Sequence, residues 1–378
     1  MARKKQQGNG SGTIYPRKNK DGKIVSYLGQ YFGLDGKRRY VSAKHKGECR
    51  DKLRAAMADA DKGLVYNAGT TTVSQYLDAW LKDSLKNTVR QRTYERYESI
   101  ARVHIKPALG RVKLKALTPA HVRNLYRKKL DAGLAPRTVN YIHTTLHKAL
   151  KNAVTDGLIP RNPSDAVKPP RPAKPEIRPL TQDQARSLLA SAKVDRFYAL
   201  YVLALHCGLR EGELLGLQWD DVDLNAGKLS VRRTLSEIRT GHKFERPKNG
   251  KGRSVKLSQR ALESLRTHRK RQAEQQLGAG SKWQNNGLVF PTTTGTTVSA
   301  TNLLGRHFKP LLKRAGLPDI RLHDLRHTCA TMLLKMGQHP KYVQELLGHA
   351  NISITLDTYS HVIEGMGDGL ADAMDGAL

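Results

Sequence analysis

Apolar positions recur with a helical period over most of the chain. Tyr76, Leu77, Trp80 and Leu81 mark one amphipathic face, and Tyr94, Tyr97, Ile100, Ala101, His104 and Ile105 mark the next. Thr118-Pro119 pairs a capping residue with a proline suited to the first helical position, which opens a third helix with Arg123, Arg127, Lys128 and Lys129 on its wetter side. A fourth helix is predicted from Pro136 to Gly157. Upstream the period shortens. Residues 13–43 read as three short strands joined at Asp21-Gly22 and Asp35-Gly36, both strong hairpin signals, and a helix over 46–61 closes that unit.

Downstream, Thr181-Gln-Asp-Gln184 forms a capping box for a helix through Ala192. The run DRFYALYVLALHC is apolar nearly all round and is predicted to be a central helix. Gly208 ends it, and LREGELLGL starts another helix with Leu214, Leu215 and Leu217 inward. Residues 229–257 predict a strand, a loop and a β-hairpin whose tip is NGKGR, between Lys248 and Ser254. An amphipathic helix follows Ser258, a short strand ends in LVFPTTTG, and a helix runs over about 299–315. Leu325, Cys329, Met332, Leu333 and Met336 fall at i, i+4, i+7, i+8 and i+11, the buried stripe of a helix starting near His323. Pro340 opens the next helix and Gly348 is a left-handed cap that turns the chain at His349; a third short helix carries Tyr359.

The layout is multidomain and mainly α with small β elements: a three-stranded sheet plus helix (1–65), a helical unit (70–164), a proline-rich linker (165–180) and a mixed α+β unit (181–378). Six prolines between Pro163 and Pro179 preclude helix or ladder there.

Charge narrows the function. The chain has 378 residues and a formal net charge of +33, from 66 Lys and Arg against 33 Asp and Glu. A compact particle would repel itself unless it met a polyanion, so nucleic acid is the expected partner. Residues 1–54 alone hold fifteen Lys and Arg against four Asp and Glu, a net of +11. No apolar run approaches the roughly 18 residues of a membrane span, and no charged amphipathic anchor stands out, so no membrane role is expected. MARKKQQGNGSG lacks the apolar core of a signal peptide, so a cytoplasmic, nucleoid-associated protein is expected. Cys49, Cys207 and Cys329 are odd in number and outside metal spacing, the last two reading as small core residues.

The candidate chemistry concentrates in LHDLRHTCATMLLKMGQHPKYVQELLGHANISITLDTYSHV. His323 and Arg326 sit three apart on one helical face, so one ligand could meet both. Arg210 sits at the exit of a buried helix and needs a carboxylate or a phosphate; a structural pair with Glu213 is the rival reading. Taken singly, each of these residues has a plain structural role. In combination, His-x-x-Arg, then Leu-Gly-His, then a tyrosine ten residues further on resemble the C-terminal signature of the tyrosine recombinases, the lambda-type integrase family. GLREGELLGLQWDDVD resembles that family's first box.

The resemblance implies a site-specific DNA recombinase. It places Arg210 and Arg326 on the scissile phosphate, with Glu213 supporting the site. Tyr359 is the implied nucleophile, forming a 3′-phosphotyrosine, with His323 as general base and His349 as a phosphate donor. It places a lysine in the minor groove as acid toward the 5′ hydroxyl; Lys248 fits best and Lys251 competes. Because the phosphotyrosine conserves the bond energy, no cofactor, ATP or divalent metal is implied. The implied partners are double-stranded DNA at core-type sites, through the helical unit, and at arm-type sites, through the N-terminal unit. A homotetramer would act on two duplexes through a Holliday junction, as in integration or excision of a phage or mobile element. A host DNA-bending protein and an excisionase stay open. The acidic tail, with Glu364, Asp368, Asp372 and Asp375, suggests contact with a neighbouring protomer. Alternatives are a type IB topoisomerase-like enzyme, against which the separate basic arm argues, a resolvase, and a non-catalytic architectural protein. A metal-dependent transposase is the contrast that a reaction in chelator would exclude.

Overall fold

A computed structural model describes residues 12–33, 36, 38–61, 70–173, 177–247, 250, 252–363 and 374–375. Lys248, Lys251, Glu364, Asp368 and Asp372 lie outside the described residues. The chain divides into two compact units between Ala173 and Lys174.

In the first unit, β1 (Thr13–Lys18), β2 (Ile24–Phe32) and β3 (Arg38–Ala43) form an antiparallel sheet in that order. Helix α1 (Lys46–Asp61) lies on it, burying Cys49 and Leu53. Four helical segments follow. The first is α2 (Val73–Ala79), continuing through a π turn to Leu85. The second runs from α3 (Gln91–Ile100) through a π segment into α4 (Lys106–Leu109). The last two are α5 (Pro119–Asp131) and α6 (Pro136–Thr155). Thr72 and Thr118 cap α2 and α5 with their hydroxyls, satisfying N–H groups that the helix leaves open. The predicted faces meet in one core around Leu77, Trp80, Ile105 and Leu146, and the Tyr76 hydroxyl donates to the Ala149 carbonyl at 2.6 Å. The proline-rich stretch opens against this core, where Ser164 and Val167 are buried.

The second unit is built on α8 (Tyr198–Cys207), buried at nearly every position as its unbroken apolar run requires. Around it stand α7 (Gln182–Ala192), α9 (Glu211–Leu215) and α10 (Gln259–Ala279). Next come α11 (Ala300–Leu303), passing through a π turn into α12 (Lys309–Arg314), and α13 (Leu322–Lys335). Helices α14 (Pro340–Leu347) and α15 (Ile352–Ile363) pack on α13.

The structure departs from the sequence pattern at three places. Two sheets share residues 222–256: β4 (Val222–Asp223), β5 (Lys228–Val231) and β8 (Arg253–Lys256) form one, and β6 (Thr234–Ile238) with β7 (Gly241–Glu245) forms the other. NGKGR is therefore not a hairpin tip; it connects strands of different sheets. The hairpin closes instead at Arg239 and Thr240, between the paired Ile238 and Gly241. Burial decides the pairing: Leu229, Val231 and Val255 face the core from β5 and β8, whereas Phe244 on β7 is exposed. LVFPTTTG holds a single bridge, Leu288 to Gln218, rather than a strand, and Pro291 nearby has no N–H to extend it. Met336 leaves the buried stripe of α13 at 61% exposed, because it caps the helix end.

Candidate active site

Helix α8 ends at Gly208 with φ 59°, a left-handed conformation that costs glycine no steric penalty. The turn delivers Arg210 to the start of α9. Glu213, only 3% exposed, reaches back to it: the carboxylate accepts the Arg210 backbone N–H at 2.9 Å and Nη1 at 2.8 Å. The same carboxylate accepts both terminal nitrogens of Arg253, from β8, at 3.0 and 2.8 Å. Arg253 Nε donates to the Leu346 carbonyl at 2.8 Å.

Arg326, 2% exposed on α13, donates from Nη1 to the Gly208 carbonyl at 2.6 Å and from Nη2 to the Leu347 carbonyl at 2.7 Å. Arg210 Nη2 donates to the Gly348 carbonyl at 3.1 Å. These acceptors lie at the C-terminal ends of α8 and α14, where unsatisfied carbonyls carry partial negative charge and favour cations. Two helix ends thus aim two guanidinium groups into one place. Gly348, at φ 64°, lets α14 close there, since a Cβ would stand 2.9 Å from Arg253 Nη1.

Three guanidinium groups share this site with one carboxylate. Burial alone would raise the Glu213 carboxyl, but the hydrogen bonds and charge of Arg253, then Arg210, outweigh it and hold it at about 2. Arg326 feels the surplus: burial, then repulsion from Arg210, pushes it down to about 9. A buried excess of cation favours an incoming anion, and of the five N–H donors on Arg326 the described contacts take two.

The imidazoles and the tyrosine border this pocket. His349 follows α14, pairs through Nδ1 with the Thr355 hydroxyl at 2.9 Å, and is held at about 4 by burial, then by the charges of Arg326 and Arg210. His323, in the first turn of α13, is open to solvent on one side. The protein volume around it, then the neighbouring His327 and Arg326, also bring it to about 4. Tyr359 sits at a kink in α15 with φ −121°, and is 1% exposed, its ring packed with Ala330, Leu334, Val343 and Leu347. Its hydroxyl lies 2.8 Å from His327 Nδ1. Burial raises the phenol pKa and the Arg326 charge opposes that rise. The His327 ring meets His323 edge to face at 4.9 Å.

The structure therefore gathers Arg210, Glu213, His323, Arg326, His349 and Tyr359 from α9, α13, α14 and α15. Two residues the sequence reading passed over are Arg253 and His327. His327, not His323, meets the Tyr359 hydroxyl in the described contacts. The i+4 spacing from His323 to His327 was a usable signal. Nothing local marked Arg253, whose carboxylate is forty positions away. Among the described residues, no group of three His, Cys, Asp or Glu side chains is arranged for a metal ion, and no helix is long and apolar enough to cross a membrane.

Residues 178–365 match the phage integrase family, and residues 72–130 match the phage integrase N-terminal SAM-like domain. A XerC-like tyrosine recombinase of Caldanaerobacter subterraneus is 32% identical over 347 residues, covering 86% of this chain and 88% of its own. Among solved structures, the Tn1549 transposon integrase in complex with transposon right end DNA superposes with a TM-score of 0.65 at 24% identity, covering 76% of this chain and 94% of that one. A lambda integrase tetramer bound to a Holliday junction gives 0.56 at 19% identity, covering 93% and 96%; both likenesses concern the fold. The sequence matches, spanning the residues that build this site, show that the chain belongs to the phage integrase family, the tyrosine site-specific recombinases.

Proposed function

We propose that the site cleaves and rejoins DNA strands, with Tyr359 as the nucleophile and a 3′-phosphotyrosine as the intermediate. The observation that carries this reading is the buried excess of guanidinium beside a tyrosine hydroxyl. A phosphodiester carries one negative charge and gains more in the transition state. Arg210 and Arg326, already oriented by helix-end carbonyls, meet that charge without reorganising. Glu213 and Arg253 hold Arg210 in place, and His349 donates to a nonbridging oxygen. A lysine in the 248–251 segment, Lys248 before Lys251, delivers a proton to the departing 5′ oxygen. The phosphotyrosine keeps the phosphodiester's energy, so a 5′ hydroxyl from another strand reverses the step and neither ATP nor a metal is needed.

Two duplexes must be cut and exchanged for recombination, which calls for several protomers. The fold shared with a lambda integrase tetramer on a Holliday junction supports a homotetramer here. In this reading residues 70–164 contact core-type sites, the basic sheet of residues 1–65 contacts arm-type sites, and 181–378 cleave. The role is integration and excision of a phage or mobile element inside its host cell.

The test uses nicked duplexes tiled across the DNA bordering the gene, incubated in chelator with wild type and Tyr359→Phe. Wild type should yield a denaturant-resistant protein-DNA adduct that the variant, while still binding, does not. Binding without an adduct in either protein would favour an architectural role.

A further inference from the structure

We propose that His327, rather than His323, takes the proton from Tyr359 when the tyrosine attacks and returns it when the strand is rejoined. This rests on the reading of Tyr359 as nucleophile. It deepens that reading by placing a second protein group on the reacting atom.

His327 follows Arg326 on α13, so the helix that anchors one phosphate-facing guanidinium also fixes the imidazole. His327 Nδ1 stands 2.8 Å from the Tyr359 oxygen, within reach of direct proton transfer. The tyrosine arrives from a different helix, at the kink in α15, and its ring is gripped by Ala330, Leu334, Val343 and Leu347. Neither partner can swing far. His323 stands behind, with its ring against His327 at 4.9 Å, where it packs the ring rather than meeting the hydroxyl.

Charge suits the role. The groups facing His327 are His323, Asp324 and Arg326 on its own helix, Arg321 at that helix's N-cap, His349 from the turn after α14, and Tyr359 from α15. Burial, opposed by Asp324 and aided by the two arginines, lowers its pKa, so the ring is neutral near pH 7. With its proton on Nε2, the neutral ring accepts the Tyr359 O–H at Nδ1.

In the forward step the O–H bond of Tyr359 breaks and its proton passes to Nδ1. The tyrosine oxygen forms a bond to phosphorus, and the P–O5′ bond breaks, leaving a 5′ oxygen that takes a proton from the leaving-group acid. On rejoining, the 5′ hydroxyl gives its proton back to the leaving-group acid as its oxygen bonds to phosphorus, the phosphorus-tyrosine bond breaks, and Nδ1 returns its proton to the phenolate. No oxidant, reductant or metal enters.

A purely structural role, in which His327 only satisfies a buried hydroxyl, is the competing account, and two variants separate them. His327→Asn keeps a polar partner near the Nδ1 position but cannot take a proton at neutral pH; His327→Ala keeps neither. The full chain is tested on whichever nicked duplex gives the most wild-type adduct, with DNA affinity measured in parallel. Single-turnover cleavage by both variants should fall by about 10²-fold or more, the lower range of general acid-base contributions, with DNA binding retained. A second substrate carries a 5′-bridging sulfur at the scissile phosphate, a leaving group that needs no protonation. It should leave both His327 variants slow while restoring Lys248→Ala.

Cleavage by His327→Asn within about 3-fold of wild type, or recovery of the His327 variants on the sulfur substrate, would overturn the assignment and leave Tyr359 as nucleophile intact. A wild type that forms no adduct on any duplex would overturn both.

Discussion

Glu213→Gln is the perturbation with the best-defined consequence. The carboxylate is buried, accepts two nitrogens of Arg253 at 3.0 and 2.8 Å, and accepts two of Arg210 at 2.8 and 2.9 Å. A carboxyl brought from 4.5 to about 2 stabilises the folded state by about 3 kcal/mol near neutral pH. That agrees with the roughly 3–5 kcal/mol lost when one partner of a buried ion pair is removed. Because the folded carboxyl titrates below the unfolded one, this stability is present in full above about pH 4.5 and is lost as pH falls toward 2. Urea unfolding of wild type and Glu213→Gln from pH 7 to pH 3 reads it directly. The difference should be about 3 kcal/mol at pH 7 and should narrow below pH 4.5. Added sulfate should recover part of the variant's loss by occupying the uncompensated guanidinium groups. Equal stability at pH 7, or a penalty that does not change down to pH 3, would refute the idea that Glu213 is the counterion of this site.

Arg326→Lys should retain DNA binding but cleave at least about 100-fold more slowly, because one ammonium cannot hold the Gly208 and Leu347 carbonyls and still present a fork to phosphate; single-turnover cleavage checks it. His349 titrates at about 4 in the folded chain and at 6.5 in its ordinary state, so its contribution to stability is full above pH 6.5 and fades toward pH 4. A phosphate beside it raises that pKa, so DNA binding at pH 6 should take up protons, and less so in His349→Gln, by calorimetry in buffers of different ionisation heat. Gly348→Ala should cost about 1–2 kcal/mol from the left-handed backbone alone and displace Arg253 as well, visible as a lower unfolding midpoint.

Much of this site could be read from residue spacing because its pieces obey local rules. Gly208 and Gly348 end helices with left-handed caps, Thr72, Thr118 and Thr181 cap helix starts, and the apolar run of α8 can only be central. The two glycine caps fix where Arg210 and His349 stand, and the apolar stripe of α13 does the same for Arg326. What local spacing does not carry is which distant elements meet. The turn chemistry at Gly250 correctly marks a bend, but not that β8 joins β5 instead of β7, a choice made by burial of Leu229, Val231 and Val255. Nothing near Arg253 in sequence reveals its role for that reason, since β8 must pair with β5 before its guanidinium reaches Glu213. The contact of His327 is equally non-local, because its partner arrives from α15, 32 positions on.

In the proposed reaction one particular tyrosine of the fourteen in the chain becomes bonded to DNA. The most direct measurement is mass spectrometry of the trapped adduct after nuclease and protease digestion. The expected product is a nucleotide joined through its 3′ phosphate to the peptide bearing Tyr359, and to no other. A nucleotide on a different residue, or a 5′-phosphate linkage at Tyr359, would contradict it.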